Sequence, residues 1–312
     1  MITSVSLNPS IDRTLRVSRL VPGGLNRVQS QTDVAAGKGV NVALAASVLG
    51  AESECIGFMY AEGGRLFEER LAGGGVAADF VWCEGAVRVN MKVLDQEKGE
   101  ITELNQSGMP VTEKQLEAMT RMIIEHAQRA GFLILAGSMP PECPVDYYRT
   151  LAEAAAMEGC RVIIDADGER LSHGIKARPF LIKPNRYELE LLCGRRLETR
   201  QALLEAAQEC IAAGVEVVVV SLGGEGALVT NGGEALYTPG VKLEVQSTVA
   251  AGDSMIAGIA AGFERGYDLE GAFRLGVAAA SARCMTPPDE MIDRALCEKL
   301  ACELHVERIE LK

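Results

Sequence analysis

From about residue 111 onward, short β-branched runs alternate with stretches whose apolar residues recur at helical spacing. Strands separated by helices return parallel rather than as hairpins, so the alternation implies βαβ units and a mostly parallel sheet. Thr112 and Gln115 predict a capping box, and Leu116, Met119, Ile123, Ile124 and Ala127 then line one helical face until Gly131. Phe132–Ala136 reads as a buried strand, 145–158 as a helix closed by Gly159, and 162–165 as the next strand. Further strands are predicted over 180–182 and 217–221, with a helix over 200–213 between them. Asn231-Gly232 predicts a hairpin, because both residues tolerate positive φ, and helices follow over 253–265, 269–283 and 289–303.

The N-terminal third reads differently. Residues 11–34 and 87–104 alternate at strand period, as in Val87, Val89, Met91 and Val93, with a Lys98-Gly99 turn and no helix between. They are expected to pair into a small sheet outside the main one, a lid on a single domain spanning 1–312. Apolar residues at 48% and charged residues at 24% exclude a disordered or fibrous chain. The net charge of −12 opposes non-specific attraction to nucleic acid or an anionic membrane, so neither is an expected partner. An anionic small molecule needs a local cationic site. Nine Cys without a CxxC, no signal-peptide pattern and no long apolar run lead us to expect reduced thiols and a cytoplasmic location.

Glycine-rich segments offer phosphate sites. AAGKGVNVA at 35–43 lacks both the earlier Gly and the Ser or Thr of a P-loop, and no GxGxxG opens a helix after the first strand. STVAAGDSMIAGIAAG at 247–262 is more informative, since small residues lead into an apolar helix with one carboxylate, Asp253, at its first turn. Helix starts present unpaired N–H groups and a positive dipole end, which suit a transferring phosphoryl group. The alternative is that Asp253 merely caps a buried helix.

Seven segments, in order and over nearly the whole chain, resemble the phosphofructokinase-B group of the ribokinase superfamily. They are SLNPSID (6–12), AAGKGVNVA (35–43), RVNMK (88–92), LAGSMPP (135–141), LIKPNRYELE (181–190), SLGGEGAL (221–228) and STVAAGDS (247–254). The resemblance implies a three-layer α/β/α core with a mostly parallel sheet, a small β-sheet lid, and an ATP- and Mg²⁺-dependent sugar kinase. SLNPSID and RVNMK are most similar to the branch that phosphorylates ketose monophosphates, fructose 1-phosphate first and tagatose 6-phosphate as the alternative. A non-catalytic sugar-phosphate sensor on the same scaffold is the rival reading.

Carried onto this sequence, the resemblance makes Asp253 the general base and the amides of Ala251, Gly252 and Asp253 the anion hole, with Thr248 just upstream. The family usually reads GAGD, whereas Ala250 puts a methyl group where Gly lets a phosphate approach. Asp12, Asn41, Gly37 and Gly39 are expected at the sugar, although Asp12 also reads as a turn residue and the glycines as tight-turn geometry. Lys38, Arg27, Arg88 and Lys92, with Ser138, are candidate ligands for the substrate's own phosphate. Arg88, Asn90 and Lys92 alternate along one strand face, while solvated lid charges are the alternative and Ser138 equally starts a turn. Lys183, Ser221, Gly223 and Gly226 are expected at the nucleotide. Asn185 and Glu188 form the NxxE motif that in the family organises Mg²⁺, with a helix entrance in which Glu188 pairs Arg186 or Arg195 as the plain alternative. Asp165 is expected near the metal. A homodimer through the lid is the expected assembly.

Overall fold

Residues Ile2–Ser6 are buried throughout, and they form the strand around which the larger of two sheets is built. The computed structural model describes residues 1–287 and 290–311. In chain order the strands are β1 (Ile2–Ser6), β2 (Ser10–Val17), β3 (Ser30–Ala36), β4 (Ser53–Glu62), β5 (Ala77–Ala86), β6 (Arg88–Asp95), β7 (Glu100–Asn105), β8 (Phe132–Ala136), β9 (Arg161–Asp165), β10 (Leu181–Ile182), β11 (Val217–Ser221), β12 (Gly226–Thr230), β13 (Ala235–Pro239) and β14 (Glu307–Ile309). The helices are α1 (Lys38–Val48), α2 (Gly64–Gly73), α3 (Glu113–Ala127), α4 (Tyr147–Met157), α5 (Gly168–Gly174), α6 (Arg186–Cys193), α7 (Arg200–Ala212), α8 (Ala251–Glu264), α9 (Leu269–Cys284) and α10 (Arg294–Glu303).

The large sheet has the order β14-β13-β12-β11-β10-β9-β8-β1-β4-β5. It is parallel from β11 to β5 and antiparallel only where β12, β13 and β14 extend it. Successive strand residues feed opposite cores: Leu133, Leu135, Val218 and Val220 pack with α3, α4 and α7, whereas Ile134, Val217 and Val219 pack with α8, α9 and α10. That period-2 split is what a sheet covered on both faces requires, and it gives the three-layer α/β/α arrangement. The capping box of α3 forms as the sequence predicts, and β12 and β13 form the expected hairpin, but through a four-residue loop, 231–234, in which only Gly232 takes positive φ and Asn231 Oδ1 instead accepts from the Gly233 and Glu234 amides.

The four-stranded sheet, β3-β2-β6-β7, comes from the two segments read as alternating. Its centre is a parallel pair, β2 with β6, flanked by antiparallel β3 and β7. Some elements differ from the sequence reading. Periodicity did not mark β1, β4, β5, α1 or α2; in β1 and β4 the reason is that both faces are covered and SECIGFMY in β4 is buried without alternation, whereas β5 is an edge strand exposed over much of its length. Phe180 lies outside β10, and α10 starts at Arg294, where Asp293 accepts from the Leu296 amide; residue 289 lies outside the described residues. Among the described residues no helix is long and apolar enough to cross a membrane.

Candidate active site

The carboxyl ends of β1, β8, β9, β10 and β11 open onto one cleft, which the four-stranded sheet borders on its far side. Strand ends on either side of β1, where chain direction through the sheet reverses, are where open α/β sheets bind ligands. Chain geometry brings α8 to this cleft. Ala250 adopts the left-handed conformation (φ 63°, ψ 11°), which turns the chain into the first turn of α8, and the apolar run behind it buries the helix against α9. The amides of this first turn precede any intrahelical acceptor and face the cleft at Gly252 and Asp253.

Asp253 is buried, and its Oδ2 accepts a hydrogen bond from Asn41 Nδ2 at 2.8 Å. Burial pushes its pKa up to about 6, against the pull of Lys38 and with a further push from Asp165. A carboxylate so placed is a stronger base than a solvated one and is still mostly ionised at neutral pH. Asn41 stands on α1, which begins after Gly37 at φ 125° and comes so close to β1 that a Cβ on Gly39 would meet the Val5 carbonyl at 2.5 Å. Both glycines therefore set the geometry of α1 against the first strand.

Asp165, at the end of β9, lies between two lysines: Lys38 Nζ is 3.0 Å from its Oδ2 and Lys183 Nζ is 3.3 Å from its Oδ1. Burial works against the Asp165 charge, yet Lys183 and Lys38 outweigh it and hold the carboxylate below its usual range. Burial likewise opposes the Lys38 ammonium, but Asp165 and Asp253 outweigh it and raise its pKa. Lys183 reaches the helix start, since a Cβ on Gly252 would lie 3.2 Å from its Nζ. Lys38, expected at the substrate's own phosphate, is paired instead with Asp165 and lies within electrostatic reach of Asp253.

Asn185 and Glu188 form a reciprocal capping box on α6, with Asn185 Oδ1 accepting from the Glu188 amide at 2.9 Å and Glu188 Oε2 accepting from the Asn185 amide at 2.8 Å. The helix-entrance reading is therefore correct in kind but not in partner, as Arg186 pairs Glu225 and Arg195 pairs Glu209. Glu188 also lines the cleft, and its pKa is raised by burial and by Asp165, a repulsion that a cation in the cleft would relieve. Among the described residues no group of three or more His, Cys, Asp or Glu stands ready to hold a metal ion.

On the four-stranded sheet, register places Asp12 opposite Asn90 and Thr14 opposite Lys92. Lys92 Nζ donates to Asp12 Oδ2 at 2.8 Å and Asn90 Nδ2 to Asp12 Oδ1 at 3.3 Å, so Lys92 is ion-paired and not a free phosphate ligand as the sequence suggested. Asn90 Oδ1 is buried without a hydrogen-bond partner. Arg88 reaches the other end of the cleft, where Nε and Nη2 donate to the Asn8 carbonyl, Nη1 to the Gln106 carbonyl and Nη2 also to Ser138 Oγ at 3.3 Å. Asn8 Nδ2 donates to Ser138 Oγ as well, at 3.2 Å. Ser138 Oγ accepts both bonds, which leaves its proton to donate outward.

Other expected residues lie elsewhere. Arg27 is exposed in the segment between β2 and β3 and lines neither the cleft nor the cavity beside it. Gly223 lies in a short 3₁₀ turn, Gly226 is pressed against Thr238 and Pro239, and only Ser221 of that motif reaches the cleft. Thr248 is exposed and contributes its carbonyl to the Ala251 amide, so that amide is engaged within the turn and only Gly252 and Asp253 of the three expected anion-hole residues line the cleft. Sequence reading missed Asn8 as a cross-brace, although it stands inside SLNPSID, and gave no signal for Gln106, whose carbonyl accepts from Arg88 and whose Oε1 accepts from the Val89 amide.

A buried carboxylate facing a helix start, with lysines beside it and an arginine–serine pair across the cleft, defines a phosphotransferase that acts on an alcohol. The sequence matches the profile described as pfkB family carbohydrate kinase over residues 4–287, and the chain belongs to that family. It is 33% identical over 311 residues to the 1-phosphofructokinase of Bacillus subtilis, covering 99% of this chain and 100% of the relative. It is also 33% identical to the 1-phosphofructokinase of Escherichia coli, with 90% of this chain and 89% of the relative covered. Its fold superposes on phosphofructokinase-2 from Escherichia coli, solved in complex with substrates and products, with a TM-score of 0.90 at 29% identity, covering 97% of this chain and 98% of the other.

Proposed function

We propose that this carbohydrate kinase transfers the γ-phosphoryl group of ATP to the 6-hydroxyl of fructose 1-phosphate, giving fructose 1,6-bisphosphate. The supporting observation is the two-ended cleft: Asp253 beside the α8 amides at one end, and Arg88 with Ser138 at the other. Curated relatives named 1-phosphofructokinase, 30% to 35% identical, support the same choice. Asp12 and Asn90 bind sugar hydroxyls between these ends. Asn90 Oδ1, buried without a partner, accepts from one of them.

Asp253 takes the proton of the acceptor hydroxyl as its oxygen bonds to the γ-phosphorus and the bond to the ADP oxygen breaks. The amides of Gly252 and Asp253, with Lys183 and Lys38, stabilise the charge on the phosphoryl oxygens. Mg²⁺ would be held chiefly by nucleotide phosphates and water, with Asn185 and Glu188 as the protein groups on its side of the cleft, and would supply charge neutralisation. The four-stranded sheet serves as a lid that excludes water. It also carries the contact to a second copy, so the assembly is a homodimer.

The test is a coupled ADP-release assay over fructose 1-phosphate, fructose 6-phosphate and tagatose 6-phosphate. The highest kcat/KM is expected on fructose 1-phosphate, and Arg88→Ala is expected to raise KM for the sugar phosphate at least tenfold while changing KM for ATP little, as loss of a charged hydrogen bond costs about 1.5–3 kcal/mol. Preference for tagatose 6-phosphate, or nucleotide binding with no turnover on any of the three, overturns the assignment.

A further inference from the structure

The segment that ends α9 is organised around one cation. Arg283, in the last turn of that helix, is only 6% exposed, and its guanidinium donates to three main-chain carbonyls: Nη1 to Glu290 at 2.7 Å, and Nη2 to Thr286 at 2.7 Å and to Pro287. Carbonyls converging on one point carry their negative ends together, and the C-terminal end of a helix adds to that field. Such a cage needs a positive charge at its centre, and here the chain supplies its own.

The cage adjoins the turn that carries the catalytic amides. The amides of Gln246 and Ser247 both donate to the Cys284 carbonyl, the residue next to Arg283, and the chain then runs through Thr248 to the left-handed Ala250 and the start of α8. Arg283 lines the same cavity as Ser247, Val249 and Ala250. Ala250 occupies a backbone region unfavourable to any residue with a Cβ, so its conformation must be imposed by its surroundings.

We propose that Arg283 is a positioning residue for phosphoryl transfer. Its guanidinium acts as an internal cation that gathers the carbonyls of Thr286, Pro287 and Glu290, fixes the Cys284 anchor, and thereby holds the 246–253 turn with its amides aimed at the γ-phosphoryl group. This rests on the phosphoryl-transfer reading of that turn. The role requires the charge and its several donors together; a neutral side chain of similar reach leaves the carbonyls' field uncompensated.

The experiment compares Arg283→Gln, Arg283→Lys and Arg283→Ala with the wild-type chain, expressing turnover per folded enzyme from the thermal transition of each. Arg283→Gln is expected to lower kcat at least tenfold with KM for the sugar within about twofold, and Arg283→Lys to retain more of kcat than Gln does. Millimolar guanidinium is expected to restore kcat of Arg283→Ala severalfold, whereas urea, of the same shape without the charge, restores nothing. Wild-type kcat in Arg283→Gln, equal effects of urea and guanidinium, or a loss accounted for by unfolding in every variant overturns the proposal. Failure of the proposed substrate assignment would show in the wild-type chain, and failure of this inference only in the variants.

Discussion

Asp253 is chemically useful because it is badly placed for stability. Its pKa rises from 3.8 in the unfolded chain to about 6 in the fold, so the folded protein binds that proton more tightly and stability falls as pH rises through the interval between those values. Above it the loss is complete. Asp253→Asn is therefore expected to raise stability at pH 8 by about 1–3 kcal/mol, since each pKa unit is worth about 1.4 kcal/mol, while kcat falls by about 10² or more. Thermal melts and turnover of one preparation check both, and the wild-type kcat/KM should decline below pH about 6. Ala250 is the second residue out of its ordinary setting. At φ 63° its methyl group costs about 1–2 kcal/mol, partly offset by the greater unfolded entropy of glycine. Ala250→Gly should raise the melting temperature by a few degrees with kcat unchanged or higher, and a large loss of activity would mean that the methyl group has a part in catalysis. The importance of both positions was legible in STVAAGDS, and so was the conformational question at Ala250. The Asn41 bond to Asp253 was not, because 212 residues separate the pair and only the packing of α1 beside α8 brings them together.

Elements were legible where their residue pattern, or a cap and a glycine stop framing them, marks them; β8 was read that way although every residue of it is buried. The alternation over 87–104 marks β6 and β7 because their side chains divide between two environments, and α3 is marked by its capping box. Strand β4 and helix α1 were hidden by the opposite condition, since both are buried nearly all round and their periodicity is lost. Nothing local in the sequence specifies that β2 pairs with β6, a parallel partner reached through two strands and two helices of the main layer. The four-stranded sheet also leaves apolar surface bare, with Ile101 60% and Leu104 53% exposed, three positions apart and so on opposite faces of β7. An edge strand with such side chains invites pairing with another copy. Leu104→Asp, on the side away from the cleft, should convert a dimer into a folded monomer in sedimentation velocity, with unchanged thermal stability of the isolated chain. A wild-type chain that sediments as a monomer at micromolar concentration rules out the lid contact.

At the scale of the molecule, an acidic chain of net charge −12 has to receive polyanions. It does so by gathering Lys38, Lys183 and Arg88 along one cleft between the two sheets. The fold class followed from the alternation of elements, but this convergence did not, because it depends on the order in which strand ends line up: β1, β8, β9, β10 and β11 contribute from positions scattered over the whole chain. Asp165 gives that arrangement a further property. By holding Lys38 and Lys183, it behaves as a tethered competitor that is present at every encounter and never diffuses away. Under the proposed function an incoming nucleotide has to displace one anion to reach two cations, so part of the attraction between lysine and phosphate is cancelled before binding begins. The same carboxylate reclaims the lysines as product phosphates withdraw, which lowers the barrier to release. A cleft with this much positive charge and no resident anion would grip its product; this one is built to let go.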